Sequence, residues 1–264
     1  GADDLTITAG SGTVGFTGAV GSGTSIHNLD VTGTAVNVLG GITTGSGGTV
    51  SITNSSQLTV SGADWSLDGA FTQSGGGAVS LGSSITTTND DISFANATTI
   101  SANGLFYLAG TGTISFGSTV AAGANTYLLE ANEIDLGGNL TGTGDLTLRG
   151  PAGRDIRIDT GTSAAFLDLT PTEIGRIQSG FNSVTIGRND GTGGVINVNN
   201  TPTFASNTIL HSGGAMTIGA SITANGNLTL RSANALTINQ DITLGTVGRT
   251  LTIDGQGGAG QDVG

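Results

Sequence analysis

Charged side chains are scarce in this chain, so the few that fall close together stand out. The densest group is RDIRID, residues 154–159. In an extended strand the side chains alternate between two faces, so Asp155, Arg157 and Asp159 share one side. Two carboxylates flanking a cleft can serve glycoside chemistry, one as acid and the other as base or nucleophile. The same spacing also describes a surface ion-pair row, the preferred reading here because exposed pairs of this kind are common and catalytic ones rare. Asp90 and Asp91 are adjacent and would face opposite sides of a strand. The segment TNDD, 88–91, fits either a calcium loop or a plain turn. GGAGQD, 257–262, matches the first six positions of a calcium-binding nonapeptide, a motif that works only when successive turns supply ligands. Calcium is therefore the one cofactor left open, with Asp90, Asp91 and Asp262 as its candidate ligands. The two histidines, His27 and His211, lie far apart and cysteine is absent, so no zinc-type spacing exists. Without lysine there is no Gly-Lys-Ser/Thr phosphate loop. No catalytic residue is assigned.

The elements that carry these groups follow from composition. Of 264 residues, 48 are glycine and three proline; 36% are apolar and only 10% charged. Low charge with abundant Val, Ile and Thr predicts an ordered all-β chain with a thin core rather than disorder. All seven cations are arginine and all lie from Arg149 onward, while eleven of the nineteen acids precede it. The acidic first half argues against nucleic acid and anionic lipid as partners. No stretch reaches the roughly 20 apolar residues of a membrane helix.

One pattern keeps returning: apolar, any, apolar, three residues, apolar. It appears as VGFTGAV (Val14, Phe16, Val20), VNVLGGI (Val36, Val38, Ile42), WSLDGAF (Trp65, Leu67, Phe71) and VSLGSSI (Val79, Leu81, Ile85). It returns as ISFGSTV (Ile114, Phe116), IDLGGNL (Ile134, Leu136), MTIGASI (Met216, Ile218) and LTINQDI (Leu236, Ile238). Each copy reads as a period-two strand, a Gly-rich corner and the first inward residue of the next strand. Recurrence at about 20–22 residues is the range of solenoids, whose turns bury apolar faces only by stacking. The chain is thus read as one β-helical array over 1–264. About 13 turns would make a rod of roughly 60 Å. A β-sandwich is the competing fold. Outward positions hold small hydroxyls such as Thr6, Ser51, Thr59, Ser93, Ser115, Thr217 and Thr229. One Thr-x-Thr, Thr6–Thr8, has no visible repeat in register, which argues against an ice- or crystal-binding face.

DLTPTEIGRIQSGF, 168–181, breaks the pattern. Thr170 as N-cap, Pro171 at the first helical position and Glu173 three residues on form a capping box. A short helix is expected over about 171–178, outside the regular turns, within an excursion at about 160–182. Ile174 and Ile177 should face the solenoid.

GTVGFTGAVGSGTSIHNLDVTG (12–33), GDLTLRG (144–150) and GNLTLRSANALTINQDITLG (226–245) resemble the shaft repeats of filamentous-haemagglutinin-like and related β-strand-repeat surface adhesins of bacteria. LTPTEIGRIQSGFNSVTIG (169–187) resembles a helix-then-strand insertion in such proteins. The resemblance implies a right-handed parallel β-helix, secreted to the cell surface, that adheres or builds matrix. The expected function is a non-catalytic, extracellular, stiff shaft or filament segment. Its partners would be copies of itself end to end along the axis and glycans of a host surface or matrix, with no membrane insertion. The alternatives are a polysaccharide-active β-helix enzyme and an ice-binding solenoid. Both ends look like mid-repeat sequence, so the chain is expected to be part of something longer.

Overall fold

The computed structural model describes residues 3–161, 163–245 and 247–255. Every strand pairing in it is parallel. The strands stack on three faces of a β-solenoid. Face I begins with seven strands, from Leu5–Thr8 to Glu133–Leu136. Five more follow, from Phe166–Leu169 to Leu236–Ile238. Face II runs from Thr13–Phe16 to Leu140–Thr141 and resumes at Thr203–Phe204. Face III is one nine-stranded sheet from Trp65–Leu67 to Leu251–Gly255. Stacked partners lie 19 residues apart at Val79 and Thr98 and 24 apart at Leu5 and Leu29, bracketing the expected period. Twelve strands on face I span roughly 53 Å at the usual inter-strand spacing.

The repeat works as its spacing predicts. Trp65 and Leu67 are buried on face III, the chain turns at Asp68–Ala70, and Phe71 enters the core on face I. Inward residues stack like on like: Val14, Val36, Leu58 and Val79 form one column, Leu29, Val50, Phe71 and Ile92 another. Phe71, Phe94 and Phe116 stack through the middle, Phe94 and Phe116 nearly parallel at 5.2 Å. Phe16, Leu236 and Ile238 were expected inside but are only half-buried. They belong to the first and last described turns, where a core side chain has one stacked neighbour instead of two. Corner glycines are needed where backbones meet: Gly75 has φ +89°, and a Cβ there would lie 2.3 Å from the Asn54 carbonyl oxygen.

Polar corners tie one turn to the next. Before face III, Asp64 accepts from Ser84 N, Ser84 Oγ from Phe106 N, Asn103 from Thr126 N, Asn207 from Asn227 N, and Asn227 from Thr250 N. Each side chain satisfies a backbone donor one turn up, where the ladder has yet to begin. At the corner after face I, buried Gln73 does the same for Ala95 N at 3.1 Å, while its Nε2 donates to buried Asn54 Oδ1 at 2.8 Å.

The regular climb fails once. After Asp145–Arg149 the chain forms Asp155–Ile158 on face I, loops outward, and returns as Phe166–Leu169 beneath it. This later strand packs beside Glu133–Leu136, and the earlier one pairs onward with Ile196–Val198. Two strands therefore lie out of sequence order, and face I gains a layer over face III. The step from Leu146 to Val184 is accordingly 38 residues, close to two turns.

The helix follows directly, Pro171–Arg176, with the capping box formed as expected and Gln178 beyond its end. It does not stand outside the turns. Ile174 and Ile177 are buried, and Ile177 bridges Leu140, so the segment replaces a strand in face II. The helix also explains the break in face I. Leu136 N–H donates to Glu173 Oε1 at 3.2 Å, and its carbonyl accepts from Arg176. With both backbone groups taken by side chains, Leu136 has none left for the next strand.

Candidate functional site

Asp155, Arg157 and Asp159 do share the outward face, but they divide their partners. Asp155 accepts from Val195 N at 2.9 Å, a tie between turns. Arg157 pairs with Asp168, Nε to Oδ1 at 2.7 Å and Nη2 to Oδ2 at 3.1 Å, and lies 3.7 Å from Asp159. Asp168 is 1% exposed although it points away from the core, because the loop before it folds over it and Ser163 N–H donates to it. The guanidinium also lies 4.9 Å from the Phe166 ring centroid. The constellation fastens the out-of-order strand, which the charge spacing alone did not reveal.

Asp91 accepts from Thr113 N at 2.8 Å, again a tie to the next turn. The carbonyl of Asp90 accepts from Thr87 Oγ1, and Asn89, at φ +65°, accepts from Thr111 N. TNDD is therefore a hydrogen-bonded corner. Asp262 lies outside the described residues. Among the described residues no three His, Cys, Asp or Glu converge as metal ligands. His27 meets Asp4 at 2.8 Å near the start of the chain, far along the stack from His211. Trp65, Tyr107 and Tyr127 are all buried core residues.

Two clefts collect charged groups. The first, about 310 Å³, lies beside the out-of-order strand and is lined by Thr113, Asn132, Glu133, Arg154 and Ser163. Desolvation by burial, with Asp135, Asp168 and Glu173 nearby, pushes the Glu133 carboxyl up to about 7. Arg154 spans the cleft to the carbonyls of Asn132 at 3.2 Å and Ala164 at 2.8 Å.

The second, about 350 Å³, lies at the edge of face III between Arg188 and Arg231. It ends a column of charges. Glu130 stacks on Arg149, His211 on Gly187, Arg231 on His211 and Asp254 on Arg231. Arg188 reaches Glu130 at 2.8 Å and Asp190 at 2.6 Å. Hydrogen bonds from Arg188 and then Thr192 hold the Asp190 carboxyl well below the usual carboxylate range. These residues are scattered from 130 to 254, but their spacing by whole turns was a signal available in the sequence.

Two surface rows also emerge from the register. Thr6, Asp30, Ser51 and Thr72 stack in one row, and Thr8, Thr32, Thr53 and Ser74 in the next. Thr6–Thr8 is thus not repeated as Thr-x-Thr in register: the pairs stacked above it are Asp30 with Thr32, Ser51 with Thr53 and Thr72 with Ser74. The rows are spaced about 6.6 Å along a strand and ~4.8 Å between turns. On face III, Phe106, Leu108 and Leu128 point outward and remain partly exposed, an apolar interruption the repeat did not predict.

No described helix is long and apolar enough to cross a membrane. Comparison of the chain with protein-family models, curated proteins and solved structures finds no match.

Proposed function

We propose that the chain is a non-catalytic, extracellular segment of a stiff adhesive shaft or filament at a bacterial cell surface. The observation that carries this reading is the uninterrupted parallel ladder of face III, reinforced turn by turn by the polar corners. A rod of this kind resists bending because the strands of face III are hydrogen-bonded to the turn above and below through nine successive strands. Ser, Thr and Asn line its sides, supplying donors and acceptors for glycans of a host surface or matrix. Its last described turn favours axial association. Leu236, Ile238, Ile242 and Leu244 are half-buried, whereas their stacked predecessors Met216, Ile218, Ile222 and Ala224 are fully buried. A further β turn placed on this end would cover them, whether from the same polypeptide or from another copy. Sedimentation velocity across a concentration series, with negative-stain microscopy, tests the proposal. End-to-end rods support it, and a strict monomer at high concentration removes the filament.

A second reading, a polysaccharide-active enzyme, draws support from Glu133. A carboxyl near 7 in a cleft is suited to general acid chemistry, and Asp135 lies two residues along the same outward face. Release of reducing ends from acidic or neutral polysaccharides, abolished by Glu133→Gln, would favour it over the shaft. The single four-turn hydroxyl row, Thr8, Thr32, Thr53 and Ser74, is the feature behind a third reading, ice or crystal binding. Thermal hysteresis lost on Thr32→Tyr would be its signature.

A further inference from the structure

We propose that the groove between Arg188 and Arg231 binds an anionic sugar unit, a uronate, through Arg231 and His211. The inference deepens the adhesive reading by giving the rod a ligand class.

The groove exists because the chain leaves face III abruptly after Ile186. Gly187 has φ +107°, and a Cβ there would lie 2.1 Å from the His211 carbonyl oxygen, so only glycine fits. The turn throws Arg188 and Asn189 outward as one wall, with Asp190 paired to Arg188. His211, Arg231 and Asp254 follow on successive strands as the other, about 4.8 Å apart.

The cations differ in what they have left to offer. Arg188 is saturated, donating to Glu130, Asp190, Thr192 and the Gly150 carbonyl. Arg231 is not. Its Nε is buried beside Asp254 Oδ2 at 3.3 Å, and its side chain is 42% exposed, which leaves the outer edge of the guanidinium, the two Nη groups, to meet a ligand. A guanidinium in this state can take a planar carboxylate through its free edge. The half-buried His211 ring has no hydrogen-bond partner among the described residues. Across the groove and the groups that pair with its lining, Arg149, Arg188 and Arg231 balance Glu130, Asp190 and Asp254, so protonation of His211 makes the region positive.

Size and lining favour a sugar over a bare ion. A volume of about 350 Å³ is at the small end of ligand sites and exceeds what an inorganic anion fills. The floor is Gly213 and Ala233, and Asn189 adds an amide at the rim. A uronate offers a carboxylate for Arg231 and hydroxyls for the rim. Burial, and then Arg231, lower the His211 pKa from its ordinary 6.5, so protonation and tighter binding come below that pH.

Titration calorimetry of the full chain with tri-galacturonate, neutral tri-galactose and inorganic sulfate, at pH 5.5 and 7.5, tests the inference. Tri-galacturonate should bind, up to about tenfold more tightly at pH 5.5, the limit set by one linked proton per unit of pH. Arg231→Ala should weaken it by about tenfold or more. His211→Gln should abolish the pH dependence, and Asp254→Asn should tighten binding by removing the competing carboxylate. Circular dichroism establishes that each variant is folded. Equal binding of the neutral trimer, equal binding of sulfate, indifference to Arg231→Ala, or no uronate binding at millimolar concentration each overturns the inference. Rod assembly is measured independently by sedimentation, so loss of the ligand and loss of the shaft are separable.

Discussion

Replacing Asp168 with alanine should destabilise the irregular turn far more than any other single change of charge. The carboxylate is 1% exposed and accepts two hydrogen bonds from Arg157 and one from Ser163 N–H. Breaking a buried ion pair by removing one partner costs ~3–5 kcal/mol, because a charge is left uncompensated. Arg157 softens this, since it keeps Asp159 at 3.7 Å and the Gly161 carbonyl at 3.2 Å and is 19% exposed. A loss of about 2–4 kcal/mol is therefore expected, against about 1 kcal/mol for Asp159→Ala, whose half-buried carboxylate lies farther from Arg157 and accepts from Thr160 N. Stability in a stacked array is largely local. Hydrogen exchange should accordingly show the loss at 155–176, with face III strands such as Leu228–Ser232 unaffected. Urea denaturation gives the total. Equal effects of Asp168→Ala and Asp159→Ala, or exchange spread evenly over the rod, would refute the argument that this pair fastens the displaced strand.

Three further outcomes are expected. Glu133 has a folded-state pKa raised to about 7, so the native state holds its proton where the unfolded chain has released it. Stability from this group is therefore full below about pH 4.3 and lost as pH rises through 7. Glu133→Gln should stabilise by about 1 kcal/mol at pH 8, discounted for partial exposure, and do little at pH 4. Urea titrations at the two pH values check the sign. The hydroxyl of Tyr127 is buried without a partner, so Tyr127→Phe should leave stability unchanged or raise it by about 1 kcal/mol in thermal unfolding. Asp91→Ala should cost about 1 kcal/mol through the lost bond to Thr113 N, and the loss should be the same with calcium and with chelator.

Most of the fold was legible because a solenoid turn writes its geometry locally. Trp65, Leu67 and Phe71 declare strand, corner and strand within seven residues, and Thr170 with Glu173 declares the helix start. Strand order was not legible. DIRI and FLDL have the same inward alternation whichever neighbour they pair with, so nothing in them records that the second lies beneath the first. What fixes the order is long-range: Asp168 meeting Arg157, and Glu173 and Arg176 taking the backbone of Leu136. The groove residues escaped for a related reason. His211 and Arg231 stand one turn apart, a spacing the sequence does show, but nothing local marks them as a site, and Gly187 gives no sign of its outward throw. The outward rows mix Thr, Ser and Asp30, so the sequence correctly showed no regular Thr-x-Thr array, while the all-hydroxyl row from Thr8 to Ser74 needs the register to be seen.

The stiff axial shaft is tested most directly by small-angle X-ray scattering with size separation, over a concentration series. The shaft account predicts a narrow rod whose cross-section stays constant while its length grows from roughly 53 Å in multiples of one chain. Constant length at every concentration, or a cross-section that widens as particles grow, would contradict association along the axis.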